Sequence, residues 1–358
     1  MKNITGIFIG LIILLTIAYC SCAKESESSG GNPLAGSVVN QSDTRLAEAN
    51  RRAGQLEDLL SLLVIQNGVI VSEQYYHGAA QSSVFNVKCV AKSFLSPLVG
   101  IAIREKYITG VEQKISDYFP EYSDIWKDPL KREIKIRDLL TLTAGFKWVE
   151  NGPITFAWLS SNNWVKFALD LSMESAPGEH FNYNTAESHL LSVIITRATK
   201  MSTLEFGYKY FFKPLGIMVK GWDTDPRGYY YGGCEMYFTA RDLAKLGILY
   251  LNGGSDNGKQ IVPAEWVNES IKNQAIISSY GGGICGYGYL WWLRKSGEYD
   301  VYFAWGYNGQ HIFNIPALNL VVVTTSSLNF PGDINRTNRN EEAIFDLLDN
   351  DIIPSLRR

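Results

Sequence analysis

Cys89-Val90-Ala91-Lys92 sets a thiol three residues before an amine. On a helix that spacing puts both side chains on one face, about one turn apart. An amine so placed can take a proton from a nucleophile. A thiol at a helix N-terminus beside a lysine is also expected to have a lowered pKa and substantial thiolate. Three readings of Cys89 stand open. It is a live nucleophile, or the silent occupant of a binding pocket, or a buried cysteine acting as a small hydrophobe.

Few other residues compete for a chemical role. The four histidines, His77, His180, His189 and His311, form no short metal-ligand pair, and no Cys-x-x-Cys occurs. Neither a metal nor a cofactor is implied. A papain-like pairing of Cys89 with His189 or His311 would have to be assembled by the fold. Beyond the N-terminal region the cysteines are Cys89, Cys234 and Cys285, an odd number that gives no disulfide framework. Cys234 and Cys285 both lie in Gly-rich segments. Either could line a pocket rim, though ordinary packing accounts for both. Trp291-Trp292 and Tyr229-Tyr230-Tyr231 read as sheet core or rim. A net charge of −3 offers no polycationic surface, and no phosphate loop stands out, so nucleic acid is not an expected partner.

The elements that must position these residues follow from pattern. With 46% apolar and 19% charged residues over 358 positions, the chain has an ordinary globular balance and room for one large domain. Leu62 to Ile65 and Val69 to Val71 flank Asn67-Gly68, which predicts a β-hairpin. Val90 to Arg104 is apolar almost all round, so it reads as a buried helix that starts at the Cys/Lys pair. Pro97, in its second turn, is expected to bend it. Helices are also predicted over Ile136–Leu142, Trp164–Leu171 and Glu187–Thr199, and from Thr239 through Leu251. The last third turns to strands at 286–293, 301–305, 312–315 and 320–325, before a helix at Glu341–Leu348. Successive strands joined by short turns predict an α+β domain with a mainly antiparallel sheet, flanked by helices and carrying an inserted helical lobe.

Several segments, taken in order, carry a family likeness. They are Phe85 to Phe94, Leu139-Leu140-Thr141-Leu142-Thr143-Ala144-Gly145, Pro177 to Asn184, Arg241 to Gly247, and Gly306-Tyr307-Asn308-Gly309-Gln310. From about residue 60 onward the chain resembles the serine β-lactamase and penicillin-binding-protein superfamily, whose first motif is Ser-x-x-Lys. The branch it resembles holds class C β-lactamases, esterases and 6-aminohexanoate-oligomer hydrolases. The resemblance implies Cys89 as nucleophile, with Lys92 and Tyr183 as proton carriers. It implies an oxyanion hole at the backbone N–H groups of Cys89 and Gln310. Thr185, Tyr307, Asn308 and Gly309 are implied at the substrate. Three positions depart from the pattern: Cys89 for serine, Thr185 for asparagine or serine, and Tyr307 for the basic residue that meets a substrate carboxylate. The expected activity is therefore hydrolysis or acyl transfer on an ester or amide through an acyl-enzyme, rather than β-lactam cleavage. The alternative is a binding protein whose pocket is silenced by Cys89.

Residues 1–22 read as an export signal of lipoprotein type. Lys2 precedes an apolar run from Ile7 to Ala18, too short for a comfortable membrane span, and Cys22 after Ser21 is the expected acceptor, ahead of Cys20. Residues 23–50 read as a flexible linker and 51–358 as the domain. This places the protein in the bacterial cell envelope, at the membrane through a lipid anchor. A small molecule or peptide is its expected substrate.

Overall fold

Eight antiparallel strands form the central sheet of the computed structural model, which describes residues 43–277, 283–328 and 333–357. They are β1 (Leu59–Gln66), β2 (Val69–Tyr75), β3 (Ala275–Ile276), β4 (Ile284–Tyr287), β5 (Trp292–Ser296), β6 (Tyr299–Gly306), β7 (Gln310–Ile315) and β8 (Leu320–Ser326), in the spatial order β2-β1-β8-β7-β6-β5-β4-β3. The N-terminal hairpin thus pairs with the last strand, Leu62 opposite Thr324. Everything between β2 and β3 is the inserted, mainly helical part. The predicted hairpin turn is present, with Asn67 and Gly68 at φ 53° and 76°. Both residues take the left-handed conformation that a tight two-residue turn requires.

Strands β7 and β8 are buried along their whole length, and β1 nearly so. Both faces of the sheet are therefore covered, which is why these strands read as continuous apolar runs rather than alternating ones. Helix α4 (Ala240–Leu251) packs across β1, β7 and β8 on one face. On the other, Phe345 of α5 (Ile334–Asp346) meets the rings of Phe303, Trp305 and Phe313. The predicted linker ends earlier than residue 50. A turn at Thr44–Leu46 leads into α1 (Ala47–Ala53), and Arg52 of α1 pairs with Asp346 at 2.7 Å and with Asp351. The expected signal segment, with Cys20 and Cys22, lies outside the described residues.

Helix α2 (Val90–Arg104) has the predicted bounds and continues through Pro97. It packs on β6 and on α3 (Thr185–Thr199). Gly100 makes that burial possible, since a Cβ there would fall 2.4 Å from the Trp266 ring. The final helix begins seven residues before the expected Glu341, because Asp333 accepts from Arg336 N–H as its N-cap.

Candidate active site

Cys89 stands at the start of α2 because the chain turns sharply before it. The short strand Phe85–Asn86 pairs with Met236–Phe238, and Lys88 then takes a left-handed φ of 49°. That conformation is costly for a residue with a side chain, and Lys88 is held in it by its ion pair with Glu235 at 2.7 Å. One turn on, Lys92 is 1% exposed. Its ammonium donates to Thr185 Oγ1 and to the Gly233 carbonyl, each at 3.0 Å, and lies 4.8 Å from the centre of the Tyr183 ring.

Tyr183-Asn184-Thr185 leads into α3. The side-chain Oδ1 of Asn184 accepts from Ala186 and Glu187 N–H and caps the helix. Glu187 accepts in turn from Asn184 Nδ2 at 3.1 Å and from Ala144 N–H at 3.3 Å. This ties the Leu139–Gly145 segment to the same helix end. The Tyr183 ring stacks on Trp292 of β5 with centroids 5.3 Å apart. Thr185 bridges two charged side chains. Its hydroxyl donates to Glu150 Oε1 at 2.6 Å while accepting from Lys92, and its N–H donates to Glu150 Oε2 at 3.0 Å. Trp148 Nε1 donates to the same carboxylate at 2.7 Å. Thr185, expected at the substrate, thus links Lys92 to Glu150 through one hydroxyl.

The Cys89 sulfur lies 3.3 Å from the sulfur of Cys234. That contact is the largest influence on the Cys89 thiol. With the Lys92 charge and a hydrogen bond from Tyr183, it outweighs burial and Glu150, and brings the Cys89 pKa down to about 6 from an ordinary 9.0. The Cys234 pKa moves the other way, well above the ordinary range, through that hydrogen bond, burial and the Cys89 charge. The two shifts, in opposite directions, favour Cys234 as the S–H donor of the pair and Cys89 as the acceptor. Burial opposes the Lys92 charge, yet Cys89, Cys234 and Glu150 together raise its pKa. Burial pushes the Tyr183 phenol well above its ordinary value, and the Cys89 charge adds to this. Lys92 is an ammonium that holds a thiolate, not a free base, and Tyr183 keeps its proton and can give it.

The turn from β6 to β7 closes the site. Gly306 pairs with Gln310 and packs so tightly that a Cβ would lie 2.3 Å from the Val87 carbonyl and 3.2 Å from Val90 N. The Gln310 backbone is thereby brought to the start of α2. Its side chain is turned inward, with Nε2 donating to the Ser326 carbonyl at 2.8 Å. Asn308 and Gly309, expected at the substrate, form this turn and are tied inward. Asn308 is fully buried and donates from Nδ2 to the Ser327 carbonyl at 2.6 Å, and Gly309 N–H donates to Glu341 at 2.8 Å. Tyr307 is half-buried, its hydroxyl accepting from Thr337 Oγ1 at 2.9 Å.

The histidines stay away from Cys89. His311 is buried between Thr324 Oγ1 at 3.1 Å and Glu341 at 3.0 Å, and His189 meets Asp225 at 3.2 Å. Among the described residues no cluster of three His, Cys, Asp or Glu side chains could hold a metal ion.

A family profile described as Beta-lactamase matches residues 51–344. The chain belongs to the β-lactamase family. A 6-aminohexanoate-dimer hydrolase from Paenarthrobacter ureafaciens is 25% identical to this β-lactamase-family chain over 317 residues, 79% of the chain and 76% of the relative. Among solved structures, EstCE1, a hydrolase with promiscuous acyltransferase activity, superposes with a TM-score of 0.69 at 16% identity, covering 84% of this chain and 98% of the other. The D-amino acid amidase from Ochrobactrum anthropi, complexed with L-phenylalanine, gives 0.64 at 15%, covering 86% and 99%. At these identities the structural likeness is one of fold. The expected fold is the one observed, and an ester- or amide-directed hydrolase is in keeping with these relatives.

Of two further members of the cluster, Glu150 had no part in the expected site, and Cys234 entered it only as a residue that could line the pocket rim. No spacing rule links them to Cys89, because each arrives on a separate loop. The Gly232-Gly233 pair was the available sign for Cys234. A Cβ on Gly233 would lie 2.3 Å from Thr185 Cγ2, and one on Gly232 would lie 2.4 Å from the Ser188 carbonyl. Only glycines let that loop reach α3.

Proposed function

We propose that this protein is a thiol-dependent acyl hydrolase acting on esters or amides. The observation that carries the reading is the Cys89 sulfur at the start of α2, 3.3 Å from Cys234 and one turn before the buried Lys92 ammonium, with its pKa brought down to about 6. The thiolate attacks the acyl carbonyl, and the N–H groups of Cys89 and Gln310 receive the developing oxyanion. As the carbon–oxygen or carbon–nitrogen bond breaks, Tyr183 gives its proton to the leaving group and is left as a phenolate beside the Lys92 ammonium. Water then attacks the thioester, Tyr183 recovers a proton from it, and Cys89 leaves as thiolate.

Substrate class follows from charge. Tyr307 stands where β-lactamases aim a cation at a carboxylate, and Glu150 adds a negative charge beside Thr185 and Lys92. An anionic β-lactam would meet no partner there and one repulsion, so neutral or cationic acyl substrates are favoured.

The site of action is the bacterial cell envelope, with the domain tethered by a lipid on Cys22. The apolar run to Ala18, Ser21-Cys22 and the polar residues that follow support this. Labelled palmitate should enter the natural chain in cells and not Cys22→Ser.

The deciding experiment incubates the reduced chain with activated esters, thioesters and an electrophilic thiol probe, and maps the adduct by mass spectrometry. An acyl or probe adduct on Cys89 with ester turnover is expected. No adduct at Cys89 and no turnover would sink the hydrolase reading and leave a pocket that only binds.

A further inference from the structure

We propose that Cys89 and Cys234 form a reversible disulfide, with a hydroperoxide as the oxidant. The inference goes beyond the hydrolase reading and stands on how the two segments are held. Their sulfurs lie 3.3 Å apart, so little more than an ångström of further approach reaches the S–S bond length of about 2.05 Å. Both cysteines are partly exposed, which admits a small oxidant.

The chain on either side of each cysteine is tied to the other's. Phe85 and Asn86 pair with Phe238 and Tyr237, and Val87 N–H donates to the Met236 carbonyl at 2.9 Å. Lys88 pairs with Glu235, whose φ of 57° bends the loop at the residue after Cys234. On the other side of Cys234, the Gly233 carbonyl is held by Lys92. Neither sulfur can drift far from its partner without breaking these contacts. Cys285 is the internal contrast, an exposed thiol whose sulfur lies 3.7 Å from the Leu293 carbonyl oxygen.

The chemistry balances as follows. The Cys89 thiolate, favoured by its surroundings at neutral pH, attacks one oxygen of the hydroperoxide, and the O–O bond breaks. The sulfur is oxidised to a sulfenic acid, and the departing alkoxide takes a proton from Tyr183 and leaves as an alcohol, or as water from hydrogen peroxide. Cys234 then gives its proton to the Tyr183 phenolate and attacks the Cys89 sulfur. The S–O bond breaks, and hydroxide leaves and takes from solvent the proton that Cys89 released on ionising, giving water. Two thiols and one hydroperoxide yield one disulfide, one alcohol and one water. A low-pKa accessible cysteine beside a second thiol is the arrangement expected of a reversibly oxidised pair.

The test reads peptide masses and needs no catalysis. The full chain, reduced and freed of reductant, is treated with a slight excess of hydrogen peroxide, alkylated, and digested without reductant. Expected is a linked pair of peptides carrying Cys89 and Cys234, lighter by two hydrogens than the separate thiols and released by dithiothreitol, with Cys285 still alkylated. Reactivity of Cys89 toward a thiol probe should be lost with the link and regained on reduction. In Cys234→Ser, and in Cys234→Ala should the serine variant not fold, Cys89 should stop at a sulfenic acid that dimedone captures. Recovery of Cys89 and Cys234 as free thiols at a dose that oxidises Cys285 overturns the proposal. So does a persistent Cys89 sulfenic acid in the natural chain. A reduced chain that turns over esters but never links defeats this inference alone, and one that links but shows no turnover defeats only the hydrolase reading.

Discussion

The Thr185 hydroxyl donates to Glu150 across 2.6 Å while accepting from Lys92 at 3.0 Å, so a carboxylate reaches the Lys92 ammonium through a single oxygen. Glu150 acts on the cluster in two ways, supporting the Lys92 charge and opposing the Cys89 thiolate. Glu150→Gln keeps the shape and one acceptor oxygen, puts an NH₂ donor in place of the other, and removes the negative charge. The Cys89 titration, followed by thiolate ultraviolet absorbance, should move to lower pH in this variant. A shift to higher pH would mean that Glu150 acts mainly by fixing Lys92.

Cys89 titrates near pH 6 in the folded chain and at its ordinary 9.0 in the unfolded one. Between those values the unfolded chain binds the extra proton, so stability rises with pH across the window and is lost as pH falls through about 6. Cys234 has the opposite sign. Its raised pKa makes the native state keep a proton that the unfolded chain sheds above the ordinary thiol value, so stability declines again there. The two values belong to the pair rather than to either thiol alone. Urea midpoints across this range should show the rise, and Cys89→Ala should flatten it. The alkylation rate of Cys89 should climb through the same pH near 6.

Much of this was legible in the chain itself. The Asn67-Gly68 hairpin, the bounds of α2 and the antiparallel end all follow from local pattern, since turn chemistry and apolar period are written in neighbouring residues. Cys89, Lys92 and Tyr183 could be brought together by family resemblance. What local pattern could not supply was the direction of the protons. Lys92 reads as a base by spacing, and becomes a held cation through the charge of Cys89, with Cys234 and Glu150 adding to it from distant loops. Asn308 and Gly309 stand where the motif requires, but sequence cannot show that Ser327 and Glu341 consume their hydrogen bonds.

Gly233→Ala tests the loop that carries Cys234. Its new Cβ would meet Thr185 Cγ2 at 2.3 Å, and α3 is too well buried to retreat freely. Overpacking of this kind costs about 1–3 kcal/mol. A lowered urea midpoint is expected, together with a higher Cys89 pKa as Cys234 is displaced. An unchanged Cys89 titration would show that the loop does not set the sulfur contact.

Cys89→Ser exchanges the thiolate for a neutral hydroxyl. Lys92 then loses the Cys89 charge that supports its ammonium, while the burial that opposes it stays. Its pKa should fall, turning it from a held cation into a base of the Ser-x-x-Lys kind. The pH–rate profile for ester turnover should lose its acid limb near 6 and gain one that reports Lys92. Cys89→Ala should lower turnover by at least about 10⁴-fold, the loss typical of a removed nucleophile. Equal rates for the natural chain and Cys89→Ala would remove Cys89 from the mechanism.

Tyr183→Phe separates attack from departure. The ring and its stacking on Trp292 remain, but the only proton assigned to the leaving group is gone. A thiolate needs no base to attack, so the loss should depend on what departs. With an activated aryl ester, whose leaving group is stable as an anion, turnover should fall only slightly. With an alkyl ester or an amide it should fall by about 10²–10⁴-fold, the usual contribution of general acid catalysis. The measurement is kcat/KM for a series of esters sharing one acyl group and differing in leaving-group pKa, where the variant should show the steeper slope. Parallel slopes would place Tyr183 at the thiolate rather than at the departing atom, because a hydrogen bond to Cys89 affects every substrate alike.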